Sequence, residues 1–436
     1  MKLMVLGSGG REHALAWRLS RDQNVEQVFV FPGNPGMLLD SEFPVKILGG
    51  EAIFETALRH ALEQSIQLVV IGPEKYLYEG WVDQFQKNGI AAYGPTQAAA
   101  FLEESKIKSK QFMKEFQIPT AEFVSVQTLT QALHEIESHP HWDGYVLKLS
   151  GPALGKGVIV CQDQPSALKA AKDFFEHQPP GIEEGMVIEE FIAGQEVSLF
   201  YACLNESFQF LASASDHKRL LDGDLGPNTG GMGAYSPSDW FTPQQLKEAE
   251  EKFVVPTLKG MIAKGTPFQG TLFLGLMVNA RGSYLLEYNT RFGDPETQTF
   301  LPLLTGNLSE VLFASASGNQ QLFAQSQVQS AQSHSVHVVK AARGYPGLFG
   351  EEIERGHDIH LNLFRPTHGL QLFFAGVKKT NAGKLESSGG RVLGFTAVAP
   401  TQAQARKLVY QNLEMANFSG EQFRRDIGQE KGGVQK

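Results

Sequence analysis

The sequence predicts a multidomain α/β protein, and three observations carry that expectation. The chain has 436 residues, too many for one ordinary domain and enough for roughly two to four of ~100 to 200 residues each. Residues 1 to about 103 alternate short apolar runs with amphipathic segments, the pattern of a parallel sheet with crossover helices. Hydrophobic residues at 42% and charged residues at 19%, with 45 glycines and 21 prolines, describe a soluble globular chain with many shaped loops.

The first block supplies strands at Leu3 to Leu6, Val28 to Phe31, Leu68 to Ile71 and Ile90 to Tyr93. At its first strand-to-helix switch lies Gly7-Ser8-Gly9-Gly10-Arg11-Glu12, where backbone N–H groups and a helix dipole favour a phosphate. Glu12 occupies the third glycine position of a dinucleotide fingerprint, which disfavours a nicotinamide cofactor. A basic helix, Lys106 to Phe116, then runs into Ile118-Pro119-Thr120, where proline ends the helical pattern and a second module begins. That module holds the strand Tyr145 to Lys148, a loop from Ser150 to Gly157, the strand Val158 to Val160 and the run Val187 to Phe191. A Gln- and Ser-rich linker, Gln320 to Ser335, precedes a last block with strands at Val336 to Lys340, Leu370 to Phe374 and Arg391 to Thr396. The Gly432-Gly433 tail reads as disordered.

A formal charge of −9 argues against nucleic acid or an anionic membrane as the main partner, so any anion site is local. Cys161 and Cys203 sit in apolar runs without metal or redox spacing, and read as core thiols of a reducing compartment. No apolar run approaches the ~20 residues of a membrane span, and the first residues form a strand rather than a leader. A cytoplasmic protein is expected.

Four segments carry candidate chemistry. Glu287, Asn289 and Arg291 follow the apolar run Tyr284-Leu285-Leu286 and alternate along one strand face, joining oxygen ligands for a hard cation to a guanidinium. The other reading of this segment is a polar strand end with a solvated ion pair. Lys148 precedes Ser150-Gly151-Pro152-Ala153-Leu154-Gly155-Lys156-Gly157, whose glycines admit oxyanions and whose lysines supply charge, although a plain hairpin is the alternative. It is not a Walker A loop, because it joins two strands and lacks Ser or Thr at Gly157. Glu189 and Glu190, with Glu196 beyond, close a strand whose backbone could read an adenine edge while a carboxylate accepts from ribose hydroxyls; a solvated strand end is the bland reading. Asp216-His217-Lys218-Arg219 precedes Gly226 to Pro237, a glycine-dense run expected to be a loop facing a ligand or, alternatively, a plain surface loop. His217 alone reads as a structural residue.

These residues together resemble the glycinamide ribonucleotide synthetase (phosphoribosylamine–glycine ligase) family of the ATP-grasp superfamily, from Met1 to about Asp426. The resemblance rests on Gly7 to Ala14, Pro32-Gly33-Asn34-Pro35-Gly36, Gly72-Pro73-Glu74, Lys148 to Gly157, Ile188 to Phe191, Asp216 to Arg219, Gly226 to Pro237 and Asn289 to Gln298. Two further matches are Gly344-Tyr345-Pro346-Gly347 and Gly389-Gly390-Arg391-Val392. It implies an α/β, multidomain ATP-grasp fold: an N-terminal parallel-sheet (preATP-grasp) domain over 1–103, an ATP-grasp domain over 104–325 with its mobile nucleotide lid at 120–195, and a C-terminal mixed β domain over 330–428. The implied reaction joins glycine to 5-phosphoribosylamine with ATP and Mg²⁺ or Mn²⁺, through glycyl phosphate, in purine synthesis, by a monomer. Arg291 and Lys156 would be catalytic. Lys106, Lys148, Gly155, Lys156, Gly157, Glu189, Glu190, Ile192 and Glu196 would hold the nucleotide, and Glu287 and Asn289 the metal. Gly9, Gly10, Arg11, Asn34, Glu74, Asp216, Lys218, Asn228, Gly230, Gly231 and Asp294 would line the substrate side, and the last domain would cover the nucleotide.

This sequence departs from the family pattern in places. Ser150 stands where relatives commonly have Asp, Pro152-Ala153-Leu154 replaces Leu-Ala-Ala, and Lys75-Tyr76 replaces Ala-Pro. No second metal carboxylate is found near Phe273. The rival readings are a ligase or carboxylase of the same superfamily acting on another substrate, and a nucleotide-binding regulator without turnover.

Overall fold

The computed structural model describes residues 1–39, 45–151, 157–347, 351–362 and 369–429. The expectations for Pro152-Ala153-Leu154, Gly155, Lys156 and the Gly432-Gly433 tail lie outside those residues.

Apolar runs near the N-terminus become a five-stranded parallel sheet in the order Lys46–Ile47, Gln27–Pro32, Lys2–Gly7, Leu68–Ile71, Ala91–Tyr93. Such strands are buried on both faces, and for that reason they read as unbroken apolar runs rather than alternating ones. Leu3, Val5, Val28, Val30, Leu68 and Val70 face one core, while Met4, Leu6, Phe29, Phe31, Val69 and Ile71 face another. The helix Gly10–Leu19 leaves the first strand at the glycine loop.

Lys106–Glu115 is the expected basic helix, started by Ser105, whose hydroxyl accepts from the Lys108 N–H. A four-stranded sheet follows in the order Phe123–Val126, Met186–Glu190, Tyr145–Leu149, Val158–Cys161. Its helices Leu129–Ser138 and Gln164–His177 pack on a core of their own, with Ala132, Ile136, Ala167 and Ala171 facing Leu147 and Ile188.

The rest of the chain is organised, among the described residues, by a nine-stranded sheet. From one edge run Gly282–Asn289, Gln269–Asn279, Gln195–Leu204 and Ser207–Asp216; then come Gly233–Ser236, His334–Ala342, Arg391–Ala399 and Leu370–Phe374, and the ninth, Glu421–Gln422, pairs with the end of His334–Ala342. The strand Gly233–Ser236 is a correction to the expected loop. It pairs with Ser215 and Asp216 on one side and with Ser335 to Val338 on the other, and so joins the central block to the last one. Only glycine fits at 233: φ is +150°, and a Cβ there would stand 2.4 Å from the His337 carbonyl oxygen.

The polar linker is a second correction. Gln320–Gln325 is a helix and Val328–Ser330 a strand, because Asn319 caps the helix through its Oδ1 and Phe323 is buried beneath it. Polar composition concealed one anchoring aromatic. Both cysteines are free and buried. No helix among the described residues is long and apolar enough to cross a membrane.

Candidate active site

A cleft of about 2690 Å³ is lined by the basic helix, the four-stranded sheet, the strand Gly282–Asn289 and the last block. The strand Gly282–Asn289 brings Glu287 and Asn289 into it. A β-bulge leaves Leu286 unpaired against Gln269–Asn279, and its carbonyl accepts from Lys148 Nζ at 3.1 Å. Phe273 lies directly opposite Asn289 and packs on Phe200, so the neighbouring strand offers an aromatic ring where a second carboxylate could stand. Glu287 makes no ion pair within 4 Å among the described residues. Burial opposes its charge, but Lys218, Lys148, Lys106 and Arg291 hold it below the usual carboxylate range. A charged carboxylate and an amide oxygen, with no third acidic or imidazole ligand among the described residues, suit a hard cation completed by phosphate oxygens.

Strand alternation was expected to carry Arg291 onto the same face, and the structure corrects this. The strand ends at Asn289, and Arg291 lies in the bend beyond. Its guanidinium returns to the site by donating to Asn289 Oδ1 at 3.1 Å. It is clamped by Glu103 at 2.9 Å and Glu74 at 3.4 Å. Glu103 also accepts from the Thr290 N–H at 2.8 Å and hydroxyl at 3.1 Å, which fixes the bend itself. Sequence reasoning missed Glu103, because a glutamate at the end of a short helix, Phe101–Glu104, carries no local signal.

At the end of the cleft lined by the four-stranded sheet, Lys148 sits on Tyr145–Leu149 and contacts Glu189 at 2.9 Å; Lys110, missed by the sequence reading, contacts the same carboxylate at 3.1 Å. Burial pushes Lys110 down to about 8 despite Glu189. The Glu189 side chain is therefore committed to two lysines. Its strand neighbours take different parts: the Glu190 N–H donates to Glu122 and the Phe191 N–H to Gly144, while the Ile192 N–H has no partner among the described residues. Lys106 lines the cleft, lowered by burial and partly restored by Glu287. Gly157 closes the hairpin by accepting from the Leu149 N–H at 2.8 Å. Ser150 is fully buried; its hydroxyl lies 3.2 Å from Ser105 Oγ and accepts from the Ile107 N–H, tying the loop base to the basic helix. Glu196 and Lys218, read separately from the sequence, form an ion pair.

On the far side, Asp216 ends the strand Ser207–Asp216, with its Oδ1 buried and without a hydrogen-bond partner. Burial, then Glu296, pushes Asp216 well above the usual range; burial also raises Glu296. Glu296 is another residue the sequence reading did not single out. Gly231 permits this arrangement, since at φ +105° a Cβ would stand 2.3 Å from Pro295 and 2.8 Å from Asp216 Oδ1. Asn228 pairs with Arg219 in a short hairpin, and Gly230 lines the cleft beside it. Asp294 is held by Arg391 at 2.9 Å and by Gln298 at 2.6 Å.

The glycine loop of the N-terminal sheet differs from the rest. Arg11 and Glu74 reach the cleft and lie 3.9 Å apart, but Gly9, Gly10 and Asn34 do not line it. The Gly9 N–H is taken by Glu12 at 2.6 Å, and Gly10 packs under Gln298. Asn34 donates to the Ser8 and Phe374 carbonyls at 2.8 and 3.0 Å and accepts from Gly36, which makes it a clamp between blocks. Glu74 starts the short helix Glu74–Tyr78, where the departing Lys75-Tyr76 pair leaves Tyr76 stacked on Trp81 at 4.0 Å. Tyr345 and Arg391 of the last block line the cleft and meet Gly230.

The fold and the cleft together define an ATP-grasp enzyme. A biotin carboxylase domain from Hydrogenobacter thermophilus, at 16% identity, shares the fold with a TM-score of 0.69 over 97% of this chain and 91% of that one. Within that class, the chain belongs to the phosphoribosylglycinamide synthetase family. Residues 1–103 match its N domain, 104–297 its ATP-grasp (A) domain and 335–430 its C domain. Phosphoribosylamine–glycine ligase of Chlorobaculum tepidum is 39% identical over 434 residues, covering 98% of this chain and 99% of that protein. The crystal structure of the Thermotoga maritima phosphoribosylamine–glycine ligase is 33% identical, with a TM-score of 0.82 over 98% of this chain and all of that one. In Gallus gallus a trifunctional purine biosynthetic protein is 39% identical over 432 residues, 42% of its length.

Proposed function

We propose that this chain is an ATP-dependent ligase joining glycine to 5-phosphoribosylamine, giving glycinamide ribonucleotide, ADP and phosphate in purine synthesis. Full-length similarity to ligases of that name supports the reading. The observation that carries it is the convergence of Glu287, Asn289 and Arg291 with Lys106 and Lys148 in one cleft, opposite an acidic pocket at Asp216 and Glu296.

A glycine carboxylate oxygen attacks the γ-phosphorus of ATP and the bond to the ADP oxygen breaks, giving glycyl phosphate. The ribosylamine nitrogen then attacks the acyl carbon, loses a proton, and expels phosphate. Lys106 and Lys148, with Lys156 and Gly155 of the lid loop, hold phosphate oxygens, and Arg291 offsets charge on the transferring group. The Ile192 N–H, with the backbone of Glu189 and Glu190, meets adenine; Glu196 meets ribose. Glu287 and Asn289 would hold a divalent cation, Mg²⁺ or Mn²⁺, which when bound would neutralise phosphate charge. Asp216 and Glu296 face the amine substrates, whose N–H groups need acceptors.

The test measures ADP release with glycine and with phosphoribosylamine formed in place from ribose 5-phosphate and ammonia. Turnover that needs both is expected. Equal turnover with another amino acid, or ATP binding without ADP formation, sinks the proposal.

A further inference from the structure

Two motifs of the last block have no part in the chemistry above, yet both reach the same residue. The Gly230 N–H donates to Tyr345 Oη at 2.9 Å, and Arg391 Nη1 donates to the Gly230 carbonyl at 2.7 Å. The grip spans 115 and 161 residues of sequence. Arg391 extends it by donating to the Asp294 carbonyl at 2.8 Å while pairing with the Asp294 carboxylate at 2.9 Å. One guanidinium thus ties the 228–231 loop to the segment that follows Arg291.

The fit depends on small residues. A Cβ at Gly390 would stand 2.4 Å from the Tyr345 ring, and one at Gly230 would stand 3.2 Å from Tyr345 Oη and 3.4 Å from Arg391 Cζ. Gly231 is buried over Asp216, but Gly230 is exposed at the cleft mouth. Holding an exposed glycine by both its N–H and its carbonyl costs side-chain entropy that a bare surface loop has no need to spend.

Glycine must sit deep, because its carboxylate has to reach the phosphoryl group beside Glu287 and Arg291. The mouth is left to the larger substrate, which attacks second. We infer that Tyr345 and Arg391 are positioning residues for the amine acceptor, a phosphorylated sugar amine, and hold the Gly230 peptide in the shape that receives it. This rests on the ligase reading and adds which substrate the last block serves.

Tyr345→Phe and Arg391→Lys in the full chain test it, with KM measured separately for each of the three substrates. Tyr345→Phe removes one hydroxyl, and the KM for phosphoribosylamine is expected to rise about 5- to 10-fold, with those for ATP and glycine within about twofold. Arg391→Lys keeps the charge, loses the fork and gives the same selective rise. A proportionate rise in all three KM values, or a fall in kcat at constant acceptor KM, overturns the inference. Unsubstituted protein that turns over without need of phosphoribosylamine overturns the ligase reading itself, a result distinguishable before any variant is made.

Discussion

The two ends of the cleft handle buried charge in opposite ways. At the nucleotide end, Glu189 is shared by Lys110 and Lys148, and all three side chains are almost wholly buried. At the acceptor end, Asp216 and Glu296 make no ion pair among the described residues, and burial pushes both carboxyls up. The first arrangement balances its charges within the protein, through ion pairs alone at Glu189 Oε1, which accepts no hydrogen bond. The second leaves Asp216 Oδ1 with neither a hydrogen bond nor an ion pair among the described residues, as a site does when its cation is part of the substrate.

The largest effect is expected from Glu189→Ala, which strands two buried ammonium groups and should cost about 3–5 kcal/mol in urea unfolding. A loss under about 1 kcal/mol would mean that the trio is not preformed. Between the two ends, Arg291→Ala should lower kcat by roughly 10²- to 10³-fold in steady-state assays, since it removes one preorganised charge. An unchanged kcat would make Arg291 a structural partner of Glu74 and Glu103.

A smaller effect comes from His337, beneath the acceptor end. Burial, assisted by Arg391 and opposed by Asp294, lowers it from 6.5 to about 3. Between those values the unfolded chain binds the extra proton, so stability is lost as pH falls; the expected loss from pH 6.5 to 5.5 is about 1 kcal/mol. A calorimetric pH series checks this, and His337→Gln should flatten that component. The smallest expected change is in the stability of Asp216→Asn, within about 0.5 kcal/mol of the parent, although activity with the amine substrates falls. A destabilisation above 1 kcal/mol would place Asp216 with Glu189 as scaffold.

The nucleotide end was the more legible from sequence. Its strands are continuous apolar runs, and Tyr145–Leu149 and Val158–Cys161 pair antiparallel as two runs so close in sequence should. The N-terminal strands were readable for the same reason. What escaped was long-range pairing. Nothing around Glu103 announces that it will meet Thr290 and Arg291, some 187 residues away. The family resemblance put Asn34 among the ligand contacts, yet its amide is spent on Ser8 and Phe374. Gly226 to Pro237 looked like a loop because glycine is costly in strands, and Gly233 is tolerated there because the His337 carbonyl comes so close. The motifs at Tyr345 and Arg391 were visible as letters, but their common target at Gly230 is a property of the tertiary structure.

The short strand Gly233–Ser236 has a consequence for dissection of the molecule. It is stitched to Ser215 and Asp216 on one side and to Ser335 to Val338 on the other. Cleaving the chain between Ser330 and His334 would therefore create two fragments with matching raw sheet edges, prone to aggregate when made alone and able to re-zip when co-expressed. The catalytic half cannot be trimmed to a minimal version at that point; it can only be split and reassembled.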